Sequence, residues 1–167
     1  MKLALLIIDM QKAYYTGYAK ESMDQASEYI NYAVELFRGK NYPIIWVQDE
    51  DKKGNVIQGT IGFDLIDALK PKPDEKRIIK NYNNSFNKTG LLEYIIKEGV
   101  DTLIITGYNA VYCVLSTYRG ALDHDLMPIL LKNSLASNTK ENSKFVEDIS
   151  EIISINALEK FISGANE

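Results

Sequence analysis

The sequence predicts an α/β fold, a three-layer α/β/α sandwich around a mainly parallel sheet of about six strands. Three observations carry that prediction. Short apolar runs alternate along the chain with longer segments of helical period. The first run, Leu-Ala-Leu-Leu-Ile-Ile over 3–8, is continuously apolar, as a strand covered on both faces is. A strand-helix-strand rhythm of this kind implies right-handed crossovers between parallel neighbours. With 167 residues, 46% of them apolar and 25% charged, residues 1–167 read as one domain with a substantial core.

Each element has its own signal. After the strand over 3–8 comes a tyrosine-rich polar loop, then a helix over 23–38. That helix aligns Ala26, Ile30, Ala33, Val34 and Phe37 on one stripe, with Gly39 to end it. The run over 43–47 is a second buried strand whose Pro43 takes the first position. Residues 49–62 are polar and glycine-bearing, which predicts a long loop suited to a lid or an oligomer contact, followed by a short helix over 64–69. A brief third strand covers 77–80. A helix over 89–98 has Thr89 as its cap and Gly99 beyond its end. The fourth strand spans 102–106, the helix after it 111–123, and the fifth strand 127–131. A helix over 140–150, a sixth strand over 152–155 and a last helical turn over 157–162 complete the reading.

Bulk properties exclude several functions. A formal charge of -4 disfavours a nucleic-acid partner, and the local basic run of Lys70, Lys72, Lys76 and Arg77 is interrupted by Asp74 and Glu75. A single cysteine forms no internal disulfide, which points to a reducing compartment. A strand starting at residue 3 leaves no room for a signal peptide, and no apolar run approaches the ~20 residues of a membrane span. The expectation is a cytoplasmic protein without membrane or nucleic-acid partners, acting on a small molecule. Exposed apolar residues on a flat α/β domain further predict a homo-oligomer.

In an open parallel sheet, ligands bind at the carboxyl ends of the strands. Asp9 follows the first strand, Lys80 closes the third, and Cys113 lies past the fourth at the start of a helix. Each has a bland alternative: aspartates cap turns, strand-ending lysines are commonly solvated, and free cysteines are often small buried hydrophobes. Together they supply a nucleophile, a proton acceptor and a cation. A helix N-terminus favours the thiolate of Cys113. The only histidine, His124, lies about three helical turns beyond Cys113, too far to be its base. Tyr14, Tyr82, Tyr108 and Tyr112 are candidate pocket walls, each with a flat apolar face and a polar tip, and about half of them are expected to line the site.

At these positions the sequence resembles the isochorismatase-like cysteine hydrolases. Ile8-Asp9-Met10-Gln11 with Tyr14 looks like their first motif. Lys80 with Tyr82, Ser85-Phe86 and Thr89-Gly90-Leu91 looks like the second. Gly107-Tyr108-Asn109-Ala110-Val111-Tyr112-Cys113-Val114, with Thr117 and Ala121 beyond, looks like the third. The resemblance implies a Rossmann-like sheet and an Asp-Lys-Cys triad at Asp9, Lys80 and Cys113. It also implies a cis peptide between Tyr108 and Asn109, with the amides of Asn109 and Cys113 forming an oxyanion hole. The activity it implies is hydrolysis of a small amide or carbamoyl C–N bond through a thioester.

The pattern is broken in places. Nicotinamidases of that family hold a metal with histidines after the second strand. Here the stretch is Trp46-Val47-Gln48-Asp49-Glu50-Asp51, without histidine, so no metal site of that type and no cofactor is expected. Asp49, Glu50 and Asp51 offer oxygens to a hard cation but read first as a solvated acidic loop. Ala110, Val111 and Lys132-Asn133-Ser134 also depart from common relatives, which leaves the substrate subtype open. Rival readings are a catalytically idle binding or assembly module, a thiol redox sensor, and a receiver-like signalling domain. The last should carry an aspartate where Lys80 stands.

Overall fold

A computed structural model describes residues 1–164. The predicted sandwich is present. Strands β1 (Leu3–Ile8), β2 (Ile44–Asp49), β3 (Lys76–Lys80), β4 (Thr102–Gly107), β5 (Met127–Leu135) and β6 (Ile152–Ile153) form one sheet. Their order is β3-β2-β1-β4-β5-β6, and every pairing is parallel. The strands carry the apolar runs because both faces are covered. Leu3, Leu5 and Ile7 of β1 join a core beneath helices α1 (Gly17–Gly39) and α5 (Ile155–Gly164). Ala4, Leu6 and Ile8 alternate into a second core beneath α2 (Leu91–Glu98), α3 (Leu115–Asp123) and α4 (Lys140–Asp148). Among the described residues no helix is long and apolar enough to cross a membrane.

Several boundaries differ from the sequence reading. Helix α1 begins at Gly17 rather than residue 23, because its first turns are polar on one side yet still bury Ala19, Ser22 and Met23. Helix α2 starts at Leu91, since Thr89 accepts the Leu91 N–H and donates its hydroxyl to the Ser85 carbonyl instead of extending the helix. Strand β5 runs on to Leu135 through Lys132 and Asn133, polar residues that hide its end in the sequence.

The helix expected over 64–69 does not form. Leu65 makes an antiparallel bridge with Gln11, and the Ile66 N–H donates to the Met10 carbonyl. The Asp64 carbonyl likewise accepts the Lys12 N–H, and the local bonds that remain, such as Leu69 N–H to the Ile66 carbonyl, close single turns rather than a helical ladder. Ile66 and Leu69 are anchored in the α1-side core. The crossover from β2 to β3 is therefore irregular, and it is tied to the carboxyl end of β1.

Between β1 and β4 the order of connection reverses, leaving a crevice at the carboxyl ends of the central strands. One glycine sets how closely the two strands meet there. Gly107 has φ +116°, and a Cβ on it would lie 2.2 Å from the Ile8 carbonyl oxygen. Only glycine permits that approach. It brings the turn after β4 against Asp9, with the Tyr108 N–H donating to the Ile8 carbonyl at 2.8 Å.

Candidate active site

Asp9 turns the chain out of β1 with φ 49°, a conformation that aspartate tolerates better than most residues. Its N–H still donates to the Val47 carbonyl at 2.9 Å, which fixes it against β2. The side chain is buried. Asp9 Oδ2 lies 2.8 Å from Lys80 Nζ, whereas Asp9 Oδ1 is buried and has no hydrogen-bond partner among the described residues. Lys80 closes β3, is buried to 1% exposure, and also reaches Cys113 Sγ at 3.4 Å and Asp49 Oδ1 at 3.2 Å.

Cys113 sits in a wide π-type turn over Ala110–Val114 that leads into α3, a local widening often found at functional sites. Its Sγ has Asn83 Oδ1 as a second neighbour at 3.7 Å. The segment carrying Asn83 is pinned to the cysteine's helix. Thr117 Oγ1 of α3 accepts the Ser85 N–H at 3.0 Å and shares a hydrogen bond with the Ser85 hydroxyl at 2.9 Å. Ser85 and Thr117 thus join the chain after β3 to the chain after β4, which explains their place in the two sequence motifs.

The Tyr108–Asn109 peptide is cis. Asn109 is buried, and among the described residues its backbone N–H donates to no carbonyl. Tyr108 stacks on Tyr14 with ring centroids 5.4 Å apart. The Tyr14 hydroxyl donates to Asp49 Oδ2 at 2.8 Å. These two tyrosines are half-buried beside the cluster. Tyr82 and Tyr112 face solvent, and Lys88 Nζ rests 5.2 Å above the Tyr82 ring. Of the four tyrosines, the fold brings Tyr14 and Tyr108 to the cluster and leaves the other two outside.

Asp49 is a participant that the sequence reading placed in a solvated acidic loop. It ends β2, and its carboxylate is shared between Lys80 and Tyr14. Gln11 holds its main chain from both sides: Gln11 Oε1 accepts the Asp49 N–H at 2.7 Å, and Gln11 Nε2 donates to the Asp49 carbonyl at 2.9 Å. Its position as a strand-ending carboxylate, like that of Asp9, was the available signal. Asn83 had no comparable signal. His124 packs its ring against Phe86, with centroids 5.0 Å apart. A surface groove of about 610 Å³ between α1, β5 and α4 is lined by Tyr29, Lys132 and Lys140 rather than by these groups.

Burial and charge set the protonation states. Burial raises the Asp9 carboxyl to about 6, a rise that the Lys80 ammonium opposes only in part. Burial also works against the Lys80 ammonium, but the charges of Asp9, Cys113 and Asp49 outweigh it and hold Lys80 above the ordinary lysine range. The Cys113 thiol is pushed up by burial and then by Asp9, more than Lys80 pulls it down. Loss of hydration and a neighbouring carboxylate thus act against the thiolate that a helix terminus would favour. The resting pair is a thiol beside an ionised carboxylate, which suits proton transfer during attack.

Comparison with known proteins gives this geometry a context. Residues 3–148 match the family described as Isochorismatase domain. An uncharacterised isochorismatase family protein of Bacillus subtilis, YrdC, is 32% identical over 121 residues, covering 71% of this chain and 65% of that protein. The chain therefore spans just under two thirds of that relative's length. The ureidoacrylate amidohydrolase RutB of Methylorubrum extorquens is 26% identical, covering 78% of this chain and 68% of its own. Among solved structures, an isochorismatase-like hydrolase from Alkaliphilus metalliredigens superposes with a TM-score of 0.87 at 26% identity, covering 99% of both chains.

Proposed function

The chain belongs to the isochorismatase family, and from that premise we propose that it hydrolyses a small amide or carbamoyl C–N bond with Cys113 as nucleophile. One observation carries the reading: Lys80 Nζ stands 2.8 Å from Asp9 and 3.4 Å from Cys113, joining groups that follow three different strands. The 26% identity to an amidohydrolase supports the reaction class.

Asp9 takes the thiol proton as Sγ attacks the carbonyl carbon. Negative charge develops on the carbonyl oxygen, where the amides of Asn109 and Cys113 receive it; one such donor typically contributes ~2.7–4 kcal/mol in the transition state. Asp9 returns the proton to the leaving amine, the C–N bond breaks, and an acyl thioester remains. A water that gives its proton to the same carboxylate then attacks the thioester, releasing the acid and restoring the thiol. Lys80 stays protonated throughout and balances the charge on Asp9 and Sγ.

The test is a panel of small amides, ureas and carbamoyl compounds assayed for ammonia or amine release. Wild-type protein should turn over at least one of them. Cys113→Ala should reduce that turnover by about 10³-fold or more while its thermal melting stays unchanged. Equal turnover in the variant would overturn the scheme. A folded wild-type protein that turns over none of the panel would favour the idle binding module.

A further inference from the structure

The geometry points to a charge filter: Asp49 makes the mouth around Cys113 net anionic, so the site takes small neutral or cationic amides and rejects carboxylate-bearing ones. This deepens the reading of Cys113 as the attacking thiol and rests on it.

The argument begins with a count. Asp9 and Cys113 share one proton between them, so together they carry one negative charge whichever group holds it. Asp49 adds a second, and Lys80 is the cation that both carboxylates share. The sum is one negative charge at the point where a substrate carbonyl must arrive. Around it, Tyr14, Tyr108, Asn83 and Asn109 are all uncharged. The Tyr14 hydroxyl, a donor that an incoming carboxylate could use, is already committed to Asp49. Arg77, on the neighbouring strand, is hydrogen-bonded to Gln48 at 2.7 Å.

Asp49 is not needed to neutralise Lys80, because Asp9 already does so. Its charge also works against Asp9, contributing to the rise of that carboxyl. Yet its main chain is clamped on both sides by Gln11. A second carboxylate fixed beside a complete ion pair is accounted for by what it excludes. Fixed charge in a cleft with low-dielectric walls concentrates ligands of opposite sign and repels those of like sign. The half-buried stack of Tyr14 and Tyr108 adds an apolar face for the acyl portion.

Two reagents of the same shape and opposite demand read the filter directly: neutral iodoacetamide and anionic iodoacetate. Each alkylates sulfur by forming an S–C bond as iodide leaves, and the thiol proton passes to Asp9. Cys113 is the sole cysteine, so intact mass reports only this site. The ratio of the two rates, amide over acid, should exceed the ratio for free cysteine by about tenfold at low salt, and it should narrow at about 0.5 M salt. Asp49→Asn should bring the ratio at least about threefold closer to that of free cysteine. A wild-type ratio equal to or below that of free cysteine overturns the filter, as does an unchanged ratio in Asp49→Asn. If that variant does not fold, the wild-type ratio and its salt dependence decide. Inertness of Cys113 to both reagents in folded protein overturns the nucleophile reading and the filter with it. Selective alkylation without turnover of any amide overturns the hydrolase reading alone.

Discussion

Strand β3 has a charge cluster at each end, a half-buried one before it and a buried one where it closes, and the two are built on opposite principles. Glu75, just before β3, has both carboxylate oxygens satisfied. Arg38 Nε donates to Oε1 at 2.8 Å, while Trp46 Nε1 at 2.7 Å and the Lys72 N–H at 2.8 Å donate to Oε2. Burial alone would raise its carboxyl, but these donors outweigh burial and hold Glu75 below the usual carboxylate range. At the far end of the strand, Asp9 has one oxygen on Lys80 and the other buried without a partner among the described residues, and its carboxyl is raised to about 6. A carboxylate whose acceptors are filled is a strut. One kept short of donors is poised to take a proton. The direction of the shift, rather than the presence of an ion pair, separates them.

Exchanging each acid for its amide should break this comparison most visibly. Asp9→Asn removes the proton acceptor, so turnover of any substrate found in the panel should fall by about 10³-fold, with the melting temperature little changed or raised. Glu75→Gln should do the reverse. Activity per folded molecule should persist, while urea unfolding shows a loss of about 1–3 kcal/mol as Arg38 keeps Glu35 but loses the less exposed of its two charged partners. If Glu75→Gln loses activity and Asp9→Asn loses only stability, the assignment of strut and acceptor is backwards.

These two ends were unequally legible in the sequence. The central strands could be read because burial on both faces leaves an unbroken apolar run, as in β1. The rule that chemistry gathers at the carboxyl ends of parallel strands pointed to Asp9 and Lys80, and the structure brings both to Cys113. Asp49 obeys the same rule but was masked by Glu50 and Asp51, which make the triplet look solvated. Composition cannot tell a strand's last residue from a loop's first. The crossover over 64–69 was misread for a related reason: its spacing suits a helix, yet Asp64, Leu65 and Ile66 pair with the distant backbone of Lys12, Gln11 and Met10. Nor could spacing reveal that burial would raise the Cys113 thiol, since desolvation depends on everything packed around it.

The pH responses of the two ends should also diverge. Asp9 must be ionised to accept a proton, so kcat/KM should rise about tenfold per unit on the acid side and level off above a pH of about 6. Because the folded state protonates Asp9 more readily than the unfolded chain does, this group adds stability as pH falls from about 6 towards the ordinary carboxylate value near 4. Glu75, with its lowered value, contributes stability above the ordinary glutamate range and loses it as pH falls through its own depressed titration. Unfolding free energies of wild-type and Glu75→Gln, followed between about pH 7 and 3, should therefore converge on acidification. A constant gap across that range would remove Glu75 from its role as the charged strut.

The smallest effect separates the aromatic partners of the two clusters. Tyr14 donates its hydroxyl to Asp49 as Trp46 donates its ring N–H to Glu75, at 2.8 and 2.7 Å. Tyr14→Phe keeps the ring that stacks on Tyr108 and removes only the donor. Asp49, still held by Gln11 and Lys80, should shift slightly, so kcat/KM should fall by no more than about tenfold with a stability change near ~1 kcal/mol. Trp46→Phe keeps an aromatic in the core but leaves a gap and withdraws a donor from Glu75, so it should cost more stability and no activity per folded molecule. The pair asks whether a hydrogen bond to a carboxylate is felt by the reaction or only by the fold. If Tyr14→Phe and Trp46→Phe change activity equally, the hydroxyl on Asp49 has no special place in the site.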